Sequence, residues 1–446
     1  MITSNKQLVT MKKKKQLRNP YRYQAVWMLL AFLVALPCAA LQQETEDFKS
    51  YKGEVLDASS KKALVFANLA VEGTNISTVT NSEGEFLLKI PVSDTSKKLM
   101  VSFLGYKSVT LDISTLTPNK NRILLEVSVT QLSEVDLKAP KNAANLVRET
   151  LLRKGENYFD DPTLMTAFYR ETIKKRRKNV SLSEAVVNIY KSPYNSGKRD
   201  AVELYKARKS TDYSKLDTLA LKLQGGPFNT LYIDVMKYPE YIFSNTLFDN
   251  YDFTYVRSTR INDQLVFVIK FEQLPNIIDP LYMGELFIDA EKKTLVSAVY
   301  SLKITDKNLA AQLFVRKKPA KVKVWPTQVA YRVDYREKEG KWYYGYSNVL
   351  LEFKVNWKSK LFNSVYSMAA EMAVTDWEKN QSGAAPNKEE RIKKTIILSD
   401  EAIGFSDPDF WGEYNIIEPE KSIESAIRKI QRQLRRSAQR NGTAIP

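Results

Sequence analysis

The chain has 446 residues, with 68 Lys and Arg against 51 Asp and Glu, one cysteine and no histidine. That length suffices for more than one packed core, and 43% hydrophobic with 27% charged residues is ordinary for globular domains. Without histidine there is no His-Glu zinc site and no Ser-His-Asp or Cys-His nucleophile. A glycosidase needs only two carboxylates. Glu272, Asp279, Glu285 and Asp289 are the acids to weigh, but no spacing marks them, and solvated turn or strand positions are the default. The formal charge of +17 is scattered along the sequence, which is not a nucleic-acid signature. It suits a surface near anionic lipid or polysaccharide.

The N-terminus carries Lys12 to Lys15, Arg18 and Arg22, then the apolar run Ala25 to Leu36, then Pro37-Cys38-Ala39-Ala40. This is the order of a secretory signal, expected to span residues 1–40 with cleavage near Ala40. An uncleaved anchor is the alternative, although the run is short for a bilayer. Pro37 stands where a lipoprotein signal needs a small residue, which disfavours acylation of Cys38. Removing residues 1–40, which carry seven basic and no acidic side chains, lowers the charge from +17 to +10 and leaves no cysteine for a disulfide.

Residues 50–128 alternate short apolar runs with turn signals. Phe86, Leu88 and Ile90 recur with period two, and Asn81-Ser82-Glu83-Gly84 predicts a hairpin turn before them. The pattern predicts a small antiparallel sandwich. Gly53-x-Val55, Gly73-Thr74, Thr80-Asn81-x-x-Gly84-x-Phe86 and Ser102-Phe103-x-Gly105-Tyr106 also fall in an order that resembles the carboxypeptidase regulatory-like, transthyretin-like domain. That resemblance implies a non-catalytic sandwich, frequent in secreted and outer-membrane proteins of the Bacteroidetes. Asn81 departs from the family's usual Asp.

A linker is expected over 129–141 and a β-rich domain over 142–378. The latter opens with a helix from Asn142 to Tyr158 whose Ala144, Val147, Leu151 and Leu152 share a face. Strands are predicted in Thr163 to Lys174 and Ser183 to Tyr190. The basic run Lys174 to Lys178 reads as a solvated hairpin tip, or as a site for phosphate or lipid headgroups. Gly225-Gly226-Pro227 marks a loop. Hairpins are then predicted around Asn262-Asp263, Ala290 to Lys293 and Glu337 to Gly340. In the last strand Trp342, Tyr344 and Tyr346 share one parity and Phe353 and Trp357 the other, which predicts a bulge or bend near Gly345 to Asn348. These five aromatics are the candidate ligand-lining or core-lining residues. A flexible loop is expected over 379–394 and a C-terminal segment over 395–446 with a basic helix from Glu418 to Arg440.

The fold expected is mainly β: the N-terminal sandwich plus a curved antiparallel sheet, open or half-barrel, with a few helices. GELFIDAEKKTLVSAVYSLK resembles a strand pair of half-barrel lipoprotein carriers. YKSPY, KARKS and DPDFWGEYNIIEPEKSIESAIRKI resemble uncharacterised Bacteroidetes envelope proteins with this domain order. The resemblances imply an exported, non-enzymatic protein at the periplasm or outer membrane, with a binding or scaffolding role. A lipid or lipoprotein carrier is the alternative. Envelope proteins, outer-membrane components or lipid are the expected partners; no cofactor, metal or nucleic acid is expected.

Overall fold

The computed structural model describes residues 48–128, 139–176, 178–211, 223–261, 264–315, 318–358, 361–404 and 410–420. The signal-like segment, most of the linker, the Asn262-Asp263 turn and residues 421–440 of the expected C-terminal helix lie outside the described residues, and residues 418–420 are not helical. Among the described residues no helix is long and apolar enough to cross a membrane.

The structure is mainly β. Strands β1 (Phe48–Asp57), β4 (Glu85–Pro91) and β7 (Asn121–Leu125) form one sheet of the N-terminal sandwich. Strands β2 (Asn68–Val71), β3 (Ser77–Val79), β5 (Lys98–Ser102) and β6 (Val109–Asp112) form the other, in the order β3-β2-β5-β6. Alternation buries Val55, Phe86, Leu88, Ile90, Leu99 and Val101 between them. Gly53 sits between its β4 and β7 partners, where a Cβ would fall 2.2 Å from the Asn121 carbonyl oxygen.

The turn at Asn81 to Gly84 differs from the expected hairpin, because β3 pairs with β2 and β4 pairs with β1. The turn carries the chain from one sheet to the other. Asn81 Oδ1 accepts from the Glu83 and Glu85 amides, both at 2.9 Å, which closes the turn. Its Nδ2 donates to the Glu418 carbonyl at 3.1 Å. An aspartate would make the first two bonds and lack the third, so the departure from the family residue has a local use.

The long strands are β8 (Thr163–Lys175), β9 (Lys178–Lys191), β10 (Ala201–Thr211), β11 (Tyr251–Ile261), β12 (Gln264–Gln273), β13 (Tyr282–Asp289) and β14 (Leu295–Leu302). They are joined by β15 (Val322–Lys338), β16 (Lys341–Trp357), β17 (Ser364–Lys379) and the two-residue β18 (Ile403–Gly404). All belong to one curved, unclosed, eleven-stranded sheet of order β11-β12-β13-β14-β15-β16-β17-β8-β9-β10-β18. The Ala290 to Lys293 turn is closed by Asp289, whose Oδ1 accepts from the Glu291 and Lys292 amides at 2.9 and 2.6 Å. Glu339 and Gly340 join β15 to β16 with φ of 53° and 79°, the two-residue turn that matches strand twist. β10 and β17 were not anticipated from the sequence. Residues 379–394 hold no long element, yet are pinned to β10 through a Glu203–Arg391 bridge and an Ile392 amide bond to the Val202 carbonyl at 3.0 Å.

One face of this sheet is covered by helix α1 (Ala143–Leu152) and by residues 223–250. Asn142 caps α1 by accepting from the Asn145 amide. The helix buries Ala143, Leu146, Val147 and Thr150, while Leu152 is 83% exposed, so the apolar stripe is rotated from the expected one. Phe228, Leu231, Val235, Met236, Ile242 and Phe243 fill the same face. A buried polar group holds this covering segment. Lys191 Nζ lies 2.8 Å from Asp200 and 2.7 Å from Asp234, with Tyr194, Tyr238 and Tyr335 hydroxyls donating to the same carboxylates. Burial alone would lower the Lys191 pKa, but the two carboxylates outweigh it and hold the ammonium above its ordinary value.

The opposite face carries the sandwich and residues 410–420. Phe168, Val186, Tyr346 and Ala373 of the sheet pack with Val79 and Leu87 of the sandwich and with Trp411, Ile416 and Ile417. The Asn415 amide bonds both backbone groups of Lys89, at 2.7 and 2.9 Å. Arg170, buried between Glu184 and Glu371, donates to the Ile417 carbonyl at 2.6 Å. Residues 415–418 therefore tie the sandwich to the sheet.

Two stability measurements test this packing. Lys191→Met leaves two buried carboxylates without their cation and should lower unfolding free energy by roughly 3–5 kcal/mol in chemical denaturation; a change within error would remove the anchor from the account. The second concerns Glu171, buried beside the Tyr169 hydroxyl at 2.7 Å. Burial raises its pKa from 4.5 to about 7, the Tyr169 bond acting the other way. Below pH 4.5 folded and unfolded states both hold the proton. As pH rises toward 7 only the folded state keeps it, so stability falls and then levels off. Glu171→Gln should flatten that slope and stabilise the protein above pH 7 by roughly 3 kcal/mol; an unchanged pH profile would contradict the assignment.

Candidate functional site

Between the sandwich and the sheet lies a cleft of ≈ 650 Å³. Its walls come from β2, the β2–β3 turn and β5 on one side, and from β14, β15 and β16 on the other. Along β15 the side chains of Arg332, Asp334 and Arg336 line it at period two, as a strand requires. Arg332 Nε is 2.8 Å from Asp334, whose other oxygen accepts from Ser297 Oγ at 2.6 Å. The Arg332 guanidinium also lies 5.9 Å and 5.6 Å from the Phe66 and Phe103 ring centres. This half-buried arginine therefore has an acid on one side and two rings on the other.

Arg336 is placed by a bulge. The β15–β16 register shifts between the Asp334–Tyr346 and Tyr335–Tyr344 pairs, leaving Gly345 as the extra residue. A Cβ on Gly345 would come within 2.7 Å of Arg336 Cγ, so the glycine lets the arginine stem pass. Its Nη1 donates to Ser77 Oγ and to the Val374 carbonyl, joining the sandwich to β17. Its Nη2 is shielded from solvent, and the Tyr343 hydroxyl interacts with the guanidinium. Desolvation pushes the Arg336 pKa down, with Tyr343 and Asp334 opposing it. Asn68 Oδ1, Trp342 Nε1 and the Tyr346 hydroxyl, all on lining residues, are buried without partners. These atoms are closed off from solvent and so lie within the cleft wall, not on its surface.

The five aromatics singled out in the sequence do not form one site. The predicted bulge is present at Gly345, and it falls between Tyr344 and Tyr346. Their equal parity therefore no longer means a shared face, which corrects the expectation. Tyr344 reaches the Thr230 carbonyl on the helix-covered face, and Tyr346 packs against Phe66 of the sandwich with ring centres 4.9 Å apart. Trp342 and Tyr346 line the cleft. Phe353 and Trp357 belong to a separate apolar cluster with Tyr366 and Met368. Arg332 and Arg336 were missed; their period-two spacing beside an aromatic strand was the available signal.

The four acids weighed for hydrolysis do not converge either. Glu272 is paired with Lys270 at 2.9 Å and Glu285 with Arg257 at 3.0 Å. Asp289 closes a hairpin turn, and Asp279 is exposed in a loop. Among the described residues no group of three or more His, Cys, Asp or Glu is placed to hold a metal.

Residues 51–137 match the CarboxypepD_reg-like domain family, which supports the resemblance that the motifs of the N-terminal part carry. No curated protein matches the chain. Similar solved structures include a domain described as an outer-membrane lipoprotein-sorting protein from Vibrio parahaemolyticus, at 10% identity and TM-score 0.25, covering 55% of this chain and 94% of that one. A LolA superfamily protein from Nitrosomonas europaea is similar at 8% identity and TM-score 0.21, over 58% of this chain and 100% of that one. A DUF1329 family protein from Desulfovibrio piger is similar at 8% identity and TM-score 0.23, over 54% and 95%.

Proposed function

We propose that this chain is a non-enzymatic binding protein of the cell envelope, and that the cleft between sandwich and sheet holds a polypeptide segment of an envelope partner. The observation that carries this reading is the cleft's own surface, where the half-buried Arg332–Asp334 pair stands beside the Phe66 and Phe103 rings. A polypeptide segment offers carbonyls and carboxylates to the Arg332 guanidinium and amides to the Asp334 carboxylate. An acyl chain offers neither. The rings of Phe66 and Phe103 offer apolar area beside Arg332 for a side chain of the same segment. The sheet then serves as a rigid carrier of the cleft, because its other face is filled by the chain itself. The signal-like N-terminus supplies the envelope part of the proposal.

A lipid-carrier role is the second reading, and one observation favours it. At the Trp357 end of the sheet, the cluster of Ile173, Val324, Phe353, Tyr366 and Met368 is capped by only partly buried Leu223, Phe314 and Val315.

A photo-crosslinking residue in place of Phe103 tests the cleft directly. In host cells it should give discrete crosslinks to polypeptide that the same residue in place of Tyr205, exposed elsewhere, does not give. Arg332→Gln should weaken the crosslinks roughly threefold or more with only a small shift in thermal unfolding, since Asp334 keeps its Ser297 bond. Crosslinks equal at both positions, or to glycan alone, would contradict the proposal.

A further inference from the structure

Two adjacent large apolar side chains stand almost fully in solvent: Leu361 at 89% and Phe362 at 73% exposure. They lie just before β17, where the ends of neighbouring central strands form one rim, or edge, of the sheet. That edge is shared by three segments. Trp357 pairs with Val322 at the start of β15, Val355 pairs with Ser364 at the start of β17, and Tyr366 pairs with Lys175 at the end of β8. The β8–β9 tip, the start of β15 and the β16–β17 connection therefore meet along one line.

Among the described residues these segments, 174–183, 315–328 and 353–367, carry nine Lys and Arg and no Asp or Glu. Arg176, Lys178, Lys321, Lys323, Lys354 and Lys358 are exposed. Lys174 is held by Glu420 at 3.3 Å, and Lys175 lies 5.8 Å from the Tyr366 ring. Beneath the edge, Phe353, Val355 and Tyr366 are buried, so the apolar pair sits on a packed base.

We propose that this edge docks on an anionic lipid bilayer, with Leu361 and Phe362 entering the headgroup boundary and the surrounding cations meeting lipid phosphates. Apolar side chains encircled by lysine and arginine are what an interface with acyl carbon inside and phosphate outside recognises. A polysaccharide or nucleic acid would use the charge and leave the aliphatic and phenyl groups in water. Neither component alone binds strongly, and together they multiply. The inference is independent of the cleft and of what the cleft holds.

Co-sedimentation with vesicles tests it. The protein is a chain beginning at Leu41, which keeps the compact unit Phe48–Pro446 and omits the apolar run Ala25 to Leu36. It should bind vesicles of phosphatidylglycerol and phosphatidylcholine, release from them as salt rises, and bind phosphatidylcholine alone far less. The double variant L361S/F362S should lose roughly tenfold or more in partitioning. The triple variant K321E/K323E/K358E should lose at least as much, and both variants should melt like the parent. Binding indifferent to lipid charge would overturn the proposal. So would full binding by the serine variant, which would reduce the edge to an adsorbing polycation.

Discussion

A sheet of eleven strands has two faces to remove from water, and most of this structure follows from how each is covered. On one face the cover is α1 and residues 223–250, and its position is fixed by charge. Lys191, on β9, meets Asp200 and Asp234 where all three are fully buried, and tyrosines close the remaining valences. Buried ions are costly unless every lone pair and proton is matched, which makes this arrangement a specific lock. On the other face the cover is the sandwich, held through Arg170, Arg336 and the Asn415 amide.

Covering both faces decides where function can reside. The helix-covered face is occupied by Phe228, Leu231, Val235, Met236, Ile242 and Phe243. The sandwich cannot follow the sheet everywhere, and the mismatch leaves the cleft lined by Arg332 and Arg336. Where the ends of β8, β15, β16 and β17 meet, several cations and the Leu361–Phe362 pair stand in water. The proposed partner-binding and membrane-docking surfaces are thus the places the packing leaves open.

Local chemistry was legible in the sequence where it acts locally. The Phe86, Leu88 and Ile90 alternation, the Ala290 and Glu337 turns and the bulge at Gly345 are set by residues within a few positions. The bulge also shows the limit. Its existence could be inferred from a change of parity, but its placement one residue before Tyr346 decides which face that ring takes, and parity alone does not reveal it. β17 escaped notice because SVYSMAAEMAVTDWEK is rich in alanine and methionine, poor strand formers that a buried central position tolerates. The outer face of β4 was unreadable for another reason. Leu87 and Lys89 are covered by Trp411 and Asn415, more than 300 positions away in sequence. The convergence of basic residues at one edge is equally nonlocal, since strand order, not sequence order, brings the three segments together.

The central claim is that the chain fills its own helix-covered face, so that the sheet is a scaffold for the cleft. Native mass spectrometry of protein taken from the host envelope fraction and released from detergent tests this most directly. The account predicts a mass equal to the polypeptide, with no lipid held in whole-number stoichiometry. One acyl lipid retained per chain, and lost when Phe353 is changed to Asp in protein that stays folded, would contradict it and establish the carrier reading.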